Sequence, residues 1–184
     1  DSNAPEEIGG RYAWGVTDTS EYTLRTYPFT YEVDPNDQKI ECRHFLVDDD
    51  GTYYQCIYIG ENISGTNYDV AHVKWGEPWR IPTYEELLEI CSSCTWYEYV
   101  YNGMSGFKVT GTNNHSIFIP WSLSWEAILK AMYWSSNLQG WDPGNMFAYG
   151  LIPSTSPQVF YNHVIGKGVL WPVTGRFVRP VCSR

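Results

Sequence analysis

Residues 80–88 read R-I-P-T-Y-E-E-L-L, and no other stretch narrows the choice of fold as far. Thr83 can accept a hydrogen bond from the backbone N–H of Glu86, and the Glu86 side chain can reach back to the N–H of Thr83. Together these make a capping box. Pro82 falls just outside the helix, where its missing donor costs nothing. Downstream, Tyr84, Leu87, Leu88, Cys91 and Cys94 recur at helical spacing, with Glu85 and Glu89 turned outward. The pattern predicts a helix whose apolar stripe packs on a sheet. Residues 69–75 (D-V-A-H-V-K-W) predict a second, shorter helix capped by Asp69.

The rest of the chain reads as short strands. Residues 11–15 (R-Y-A-W-G) form one. Residues 39–47 and 52–59 form a pair joined by the acidic turn V-D-D-D-G, and residues 106–120 form a hairpin around Gly-Thr-Asn-Asn. Segments 133–136, 145–152, 158–165 and 176–182 follow. Between Trp121 and Met132 the letters E-A-I-L-K-A favour helix. Two helices among many short strands make an α+β domain. One domain over residues 1–184 suits the length, with 1–9 as a polar tail. Aromatic residues reach 17%, with 9 Trp and 15 Tyr, a composition that favours pleated surfaces and recognition.

The net charge is −9 without a basic cluster, so a phosphate backbone or an anionic membrane surface would be repelled. No apolar run approaches the ~20 residues of a membrane span. The chain opens D-S-N-A-P-E-E instead of with Met, as expected of a mature exported protein or of a trimmed domain.

Five cysteines leave at least one unpaired within the chain. Cys42 and Cys56 are equidistant from Asp49, so a hairpin symmetric about that residue would bring them within disulfide range. Cys91 and Cys94 have redox-motif spacing but lie at the end of the predicted helix, away from the positive pole that would acidify a thiol. Core packing is the preferred reading for them. Asp48, Asp49 and Asp50 are not followed by the ligands that a calcium loop of ~12 residues requires. The histidines His44, His72, His115 and His163 show no metal-ligand spacing, so neither metal nor cofactor is expected.

Four segments, taken together, resemble a family: Y-A-W-G (12–15), D-V-A-H-V-K-W-G-E-P-W-R-I-P-T-Y-E-E-L (69–87), G-F-K-V-T-G…S-I-F-I-P (106–120) and Y-W-S-S (133–136), closed by R-F-V-R-P-V-C (176–182). Their order and spacing look like the Fibrobacter succinogenes major paralogous domain, abundant in exported proteins of gut Bacteroidetes and related to formylglycine-generating enzymes. The resemblance implies a C-type lectin-like fold, with the chain ends together in one sheet, two helices and a long irregular region open for binding. It also implies an extracellular or cell-surface location. Two departures stand out: the strand that relatives carry upstream of residue 5 is missing, and the segment after Pro120 reads W-S-L-S-W-E-A where relatives have A-A-G-Y-R.

The chemistry that the resemblance could bring is thinly represented. Glu77-Pro78-Trp79 lacks the Asn of a lectin calcium motif, and residues 140–145 (G-W-D-P-G-N) only echo its partner motif. The late reactive cysteine pair of formylglycine-generating enzymes has one counterpart, Cys182. The remaining candidate surface is aromatic: Trp121, Trp125, Trp141, Tyr149 and Tyr161, interspersed with Asp142, Asn145 and Asn162. Rigid rings with adaptable amides suit recognition. The expectation is a non-enzymatic module binding a glycan or protein through loops around 121–149. Alternatives are a surface- or fimbria-associated module contacting a neighbouring subunit through an incomplete sheet edge, and an enzyme on this scaffold.

Overall fold

The computed structural model describes residues 9–18, 25–34, 36, 45–47, 50–121, 132–142, 145–166 and 175–182. Its strands are β1 (Arg11–Tyr12), β2 (Thr30–Glu32), β3 (Phe45–Val47), β4 (Tyr53–Cys56), β5 (Trp79–Arg80), β6 (Thr95–Tyr101), β7 (Met104–Thr110), β8 (Ser116–Pro120), β9 (Tyr133–Asp142), β10 (Asn145–Ile152), β11 (Gln158–Gly166), β12 (Arg176–Phe177) and β13 (Val181–Cys182). The helices are α1 (Val70–Trp75) and α2 (Tyr84–Ser93). A five-stranded sheet has the order β1-β12-β9-β10-β11; β2-β4-β3 and β6-β7-β8 are three-stranded, and β13 pairs with β5. The class is α+β, built mostly of small antiparallel sheets.

The helix start behaves as its letters demand. Thr83 Oγ1 accepts from Glu86 N–H, and Glu86 accepts from Thr83 N–H at 2.8 Å, closing the box. Glu86 also takes both guanidinium nitrogens of Arg80, at 2.8 and 2.6 Å. The stripe differs from expectation at one position: Leu87 is buried but Leu88 is exposed, and Ile90 packs inward in its place. The cause is rotational: α2 lies against β9, β10 and β11, and Trp96 of β6 donates its indole N–H to Ile90 O, which puts Ile90 instead of Leu88 on the packed side.

Asp69 caps α1 and does more. It is fully buried, and its two oxygens accept from Ala71 and His72 N–H in the helix and from Gly65 and Ile81 N–H outside it. One carboxylate thus ties α1 to the entry of the R-I-P-T segment.

Two indoles lock the early and late chain together. Trp14 Nε1 donates to Ser135 O at 3.0 Å, and Trp134 Nε1 donates to Tyr12 O at 2.8 Å. Both rings are buried, as is Tyr27, whose hydroxyl donates to Trp14 O. Each ring therefore buries its large apolar area with its polar atom satisfied. β1 pairs antiparallel with β12, and β12 pairs parallel with β9, so the early and late strands do share a sheet. Ser136 N–H donates to Pro82 O, and its own carbonyl accepts from Ile63 N–H, which explains why small buried residues follow Trp134. A second cluster joins Leu87, Trp96, Phe107, Val109, Ile119, Tyr133 and Leu151 beneath α2.

Several expectations need correction. Residues 95–101, assigned no element from the sequence, form β6. Asn102 and Gly103 both have positive φ and close a two-residue hairpin to β7, the turn type that Asn-Gly specifies. The predicted 176–182 strand divides into β12 and β13, pairing with different partners. The strands expected at 133–136 and 145–152 are present, but residues 137–142, expected to belong to the loop region around 121–149, extend the first of them into β9. The β3–β4 register centres on Asp50, since Val47 faces Tyr53, one residue later than the symmetry behind the Cys42–Cys56 expectation. Cys42 itself lies outside the described residues, as do the E-A-I-L-K-A segment and the polar tail up to residue 8.

Candidate functional site

Six of the eight aromatic and amide candidates fall on adjacent strands of one sheet. Asp142 at the end of β9 faces Asn145 at the start of β10, and Trp141 faces Met146. Along β10–β11, Tyr149 faces Tyr161 and Ala148 faces Asn162. A sheet of paired strands is a stiffer support than the irregular loop expected.

Tyr149 is half-buried and stacks on Tyr84, with ring centroids 4.0 Å apart and planes at 29°. Tyr84 opens α2, and its N–H donates to Asn137 Oδ1 at 2.9 Å, so the ring is anchored through its own backbone. Burial pushes the Tyr149 hydroxyl above the ordinary tyrosine range, with smaller pushes from Tyr84 and Glu85. This hydroxyl therefore offers a neutral donor and acceptor across physiological pH.

Trp121 belongs elsewhere. It follows β8, packs against the second core cluster with its ring 5.4 Å from Phe107, and its indole N–H is buried without a partner among the described residues. Its position is that of a half-buried core ring, because β8 delivers it directly onto Phe107. Trp125 lies outside the described residues.

No group of three or more His, Cys, Asp and Glu able to hold a metal occurs among the described residues. Cys91 is pushed up to about 11 by burial and then by Cys94. Cys94 is raised by burial and then by Glu89. Thiols so raised stay protonated at neutral pH and are poor nucleophiles, which agrees with core packing for this pair. Cys182 is exposed and faces Trp79 in the β13–β5 pair. Among the described residues no helix is long and apolar enough to cross a membrane.

The sequence reading missed the most exposed aromatic row. Tyr97, Tyr99 and Tyr101 alternate along β6 at 58, 47 and 36% exposure, on the face opposite buried Trp96. The Phe118 ring lies beside Tyr99 and Tyr101, at 6.4 and 5.6 Å, and over Gly106 of the intervening strand. A Cβ on Gly106 would stand 2.5 Å from that ring. The signal was present as Y-x-Y-x-Y running into Asn102-Gly103, a period of two that ends in a hairpin turn. No protein-family model, curated protein or solved structure matches the chain.

Proposed function

We propose that the protein is an exported, non-enzymatic binding module of C-type lectin-like architecture, of the family it resembles, and that it recognises a glycan or a protein through the aromatic surface of β9–β11. The observation that carries this reading is the Tyr84–Tyr149 stack, with Tyr161 facing Tyr149 across the β10–β11 ladder. Stacked rings on paired strands and a capped helix lose little entropy when they engage a ligand. A flat sugar ring or an apolar side chain can extend such a stack. The raised thiols and the scattered histidines give the non-enzymatic part its support, and export rests on the family resemblance.

A glycan array and affinity capture from gut contents, run with the wild type and a Trp141→Ala/Tyr149→Ala variant, test the proposal. Expected is a ligand that the variant loses while its fold persists. A ligand retained by the variant, or none above background, defeats it.

A second reading, a surface module contacting a neighbouring subunit, is favoured by one specific observation: no strand among the described residues pairs with the outer edge of β6.

A further inference from the structure

β6 is the outer strand of β6-β7-β8. Its pairing to β7 runs without a bulge from Thr95↔Thr110 to Tyr101↔Met104, closed by the two-residue turn at Asn102-Gly103. In such a hairpin the residues flanking the turn exchange both backbone bonds, and bonded pairs then alternate. Tyr101, Tyr99, Tyr97 and Thr95 therefore direct their N–H and C=O groups at β7. Trp96, Glu98 and Val100 direct theirs outward, and no strand among the described residues takes them.

Natural edges are blunted by Pro, Lys, bulges or covering loops. The sequence T-W-Y-E-Y-V-Y has no Pro, no Lys and no bulge, and Tyr97, Tyr99 and Val100 are all markedly exposed. The single charge is Glu98, exposed and without an ion-pair partner among the described residues. It occupies the central outward position, and this placement bears on what can dock. A second copy pairing antiparallel about a two-fold axis uses all three outward residues only when Glu98 faces Glu98 of the other copy. Like charges directly opposite destabilise such a pair, and the chain's net charge of −9 adds repulsion.

We propose that the outer edge of β6 accepts an extended strand from a different polypeptide, one carrying Lys or Arg opposite Glu98. The partner's backbone satisfies the outward groups of Trp96, Glu98 and Val100, and its cation supplies the charge that self-pairing lacks. This inference rests on the second reading above and is independent of the β9–β11 surface.

The test uses the full chain and a capped heptapeptide, Thr-Val-Tyr-Lys-Tyr-Val-Thr, with a twin carrying Glu at the centre. Amide hydrogen exchange reads the edge directly: without peptide, the Trp96, Glu98 and Val100 amides exchange faster than those of Tyr97, Tyr99 and Tyr101. The Lys peptide is expected to slow the outward amides, and the Glu peptide to bind about fivefold or more weakly. Glu98→Lys should reverse that preference, and Glu98→Gln should level it. Val100→Pro removes an outward donor without breaking a bond to β7, so it should keep the β7–β8 amides protected while abolishing the peptide effect. Equal binding of both peptides, or slowing at β1 or β11 instead of β6, overturns the proposal. So does a wild-type dimer with β6 already protected, which would make a second copy the occupant. Failure here leaves the β9–β11 proposal standing, because that one is read by ligand loss in the Trp141/Tyr149 variant.

Discussion

Replacing Asp69 should unfold this protein more readily than replacing any exposed carboxylate. Its oxygens accept four backbone N–H bonds, three at 2.9 Å and one at 3.1 Å, and the side chain is fully buried. Asp69→Ala strands all four donors. The bonds to Ala71 and Ile81 are buried, and each donor left there costs about 1–3 kcal/mol. The donors of Gly65 and His72 lie where water can reach them and cost less. Loss of the cap contributes about 1 kcal/mol, overlapping with the Ala71 and His72 bonds. The expected total is about 3–5 kcal/mol, a large part of the ~5–15 kcal/mol that holds a typical domain folded. Asp69→Asn separates charge and shape from bonding, since it preserves volume but turns one acceptor into a donor facing two N–H groups. It should cost about 2–4 kcal/mol, with faster amide exchange at either Gly65 and Ile81 or Ala71 and His72. Urea unfolding followed by tryptophan fluorescence and circular dichroism measures both variants. A loss below about 1 kcal/mol for Ala, or an Asn variant as stable as the wild type, would refute the reasoning.

Three further outcomes are expected. Gly106→Ala should destabilise by about 1–3 kcal/mol, because its Cβ would meet Ile119 O at 2.4 Å as well as the Phe118 ring; an unchanged melting temperature would contradict the cross-strand packing. The Arg80 guanidinium holds the Glu86 carboxyl below the ordinary carboxylate range, aided by its bonds to Thr83. A folded-state pKa below the unfolded one contributes stability above the unfolded value of ~4.3 and loses it as pH falls. More than a third of that side chain is open to solvent, so Glu86→Gln should remove no more than about 1 kcal/mol of acid sensitivity, seen in urea midpoints between neutral and acid pH. Cys91 in the native protein should react slowly with an aromatic disulfide reagent near neutrality, at a rate that climbs with pH towards about 11. Labelling as fast as in the unfolded chain would show the thiol to be open.

Legibility in the sequence followed the range of the forces involved. Thr83 with Glu86 and Asp69 with the α1 amides are partners within three residues, so the letters announce them. The 106–120 hairpin and the 145–152 strand are equally local and formed as read. β6 was equally legible through Asn102-Gly103, and the neglect of that dipeptide hid the tyrosine row. Leu88 shows the limit of periodicity: the helix was certain, but the rotation of its buried face depends on which strands lie beneath it.

By itself the sequence determined the two helix starts, most strand positions and the α+β class, because capping, turn chemistry and alternation act between near neighbours. Only the tertiary structure decided that Asp69 also holds Gly65 and Ile81, that Trp14 and Trp134 each bond to the other's segment, and that Trp121 turns onto Phe107 while Tyr149 stacks on Tyr84. Those contacts join residues up to 122 positions apart, where no local pattern records which partner the folded chain will bring.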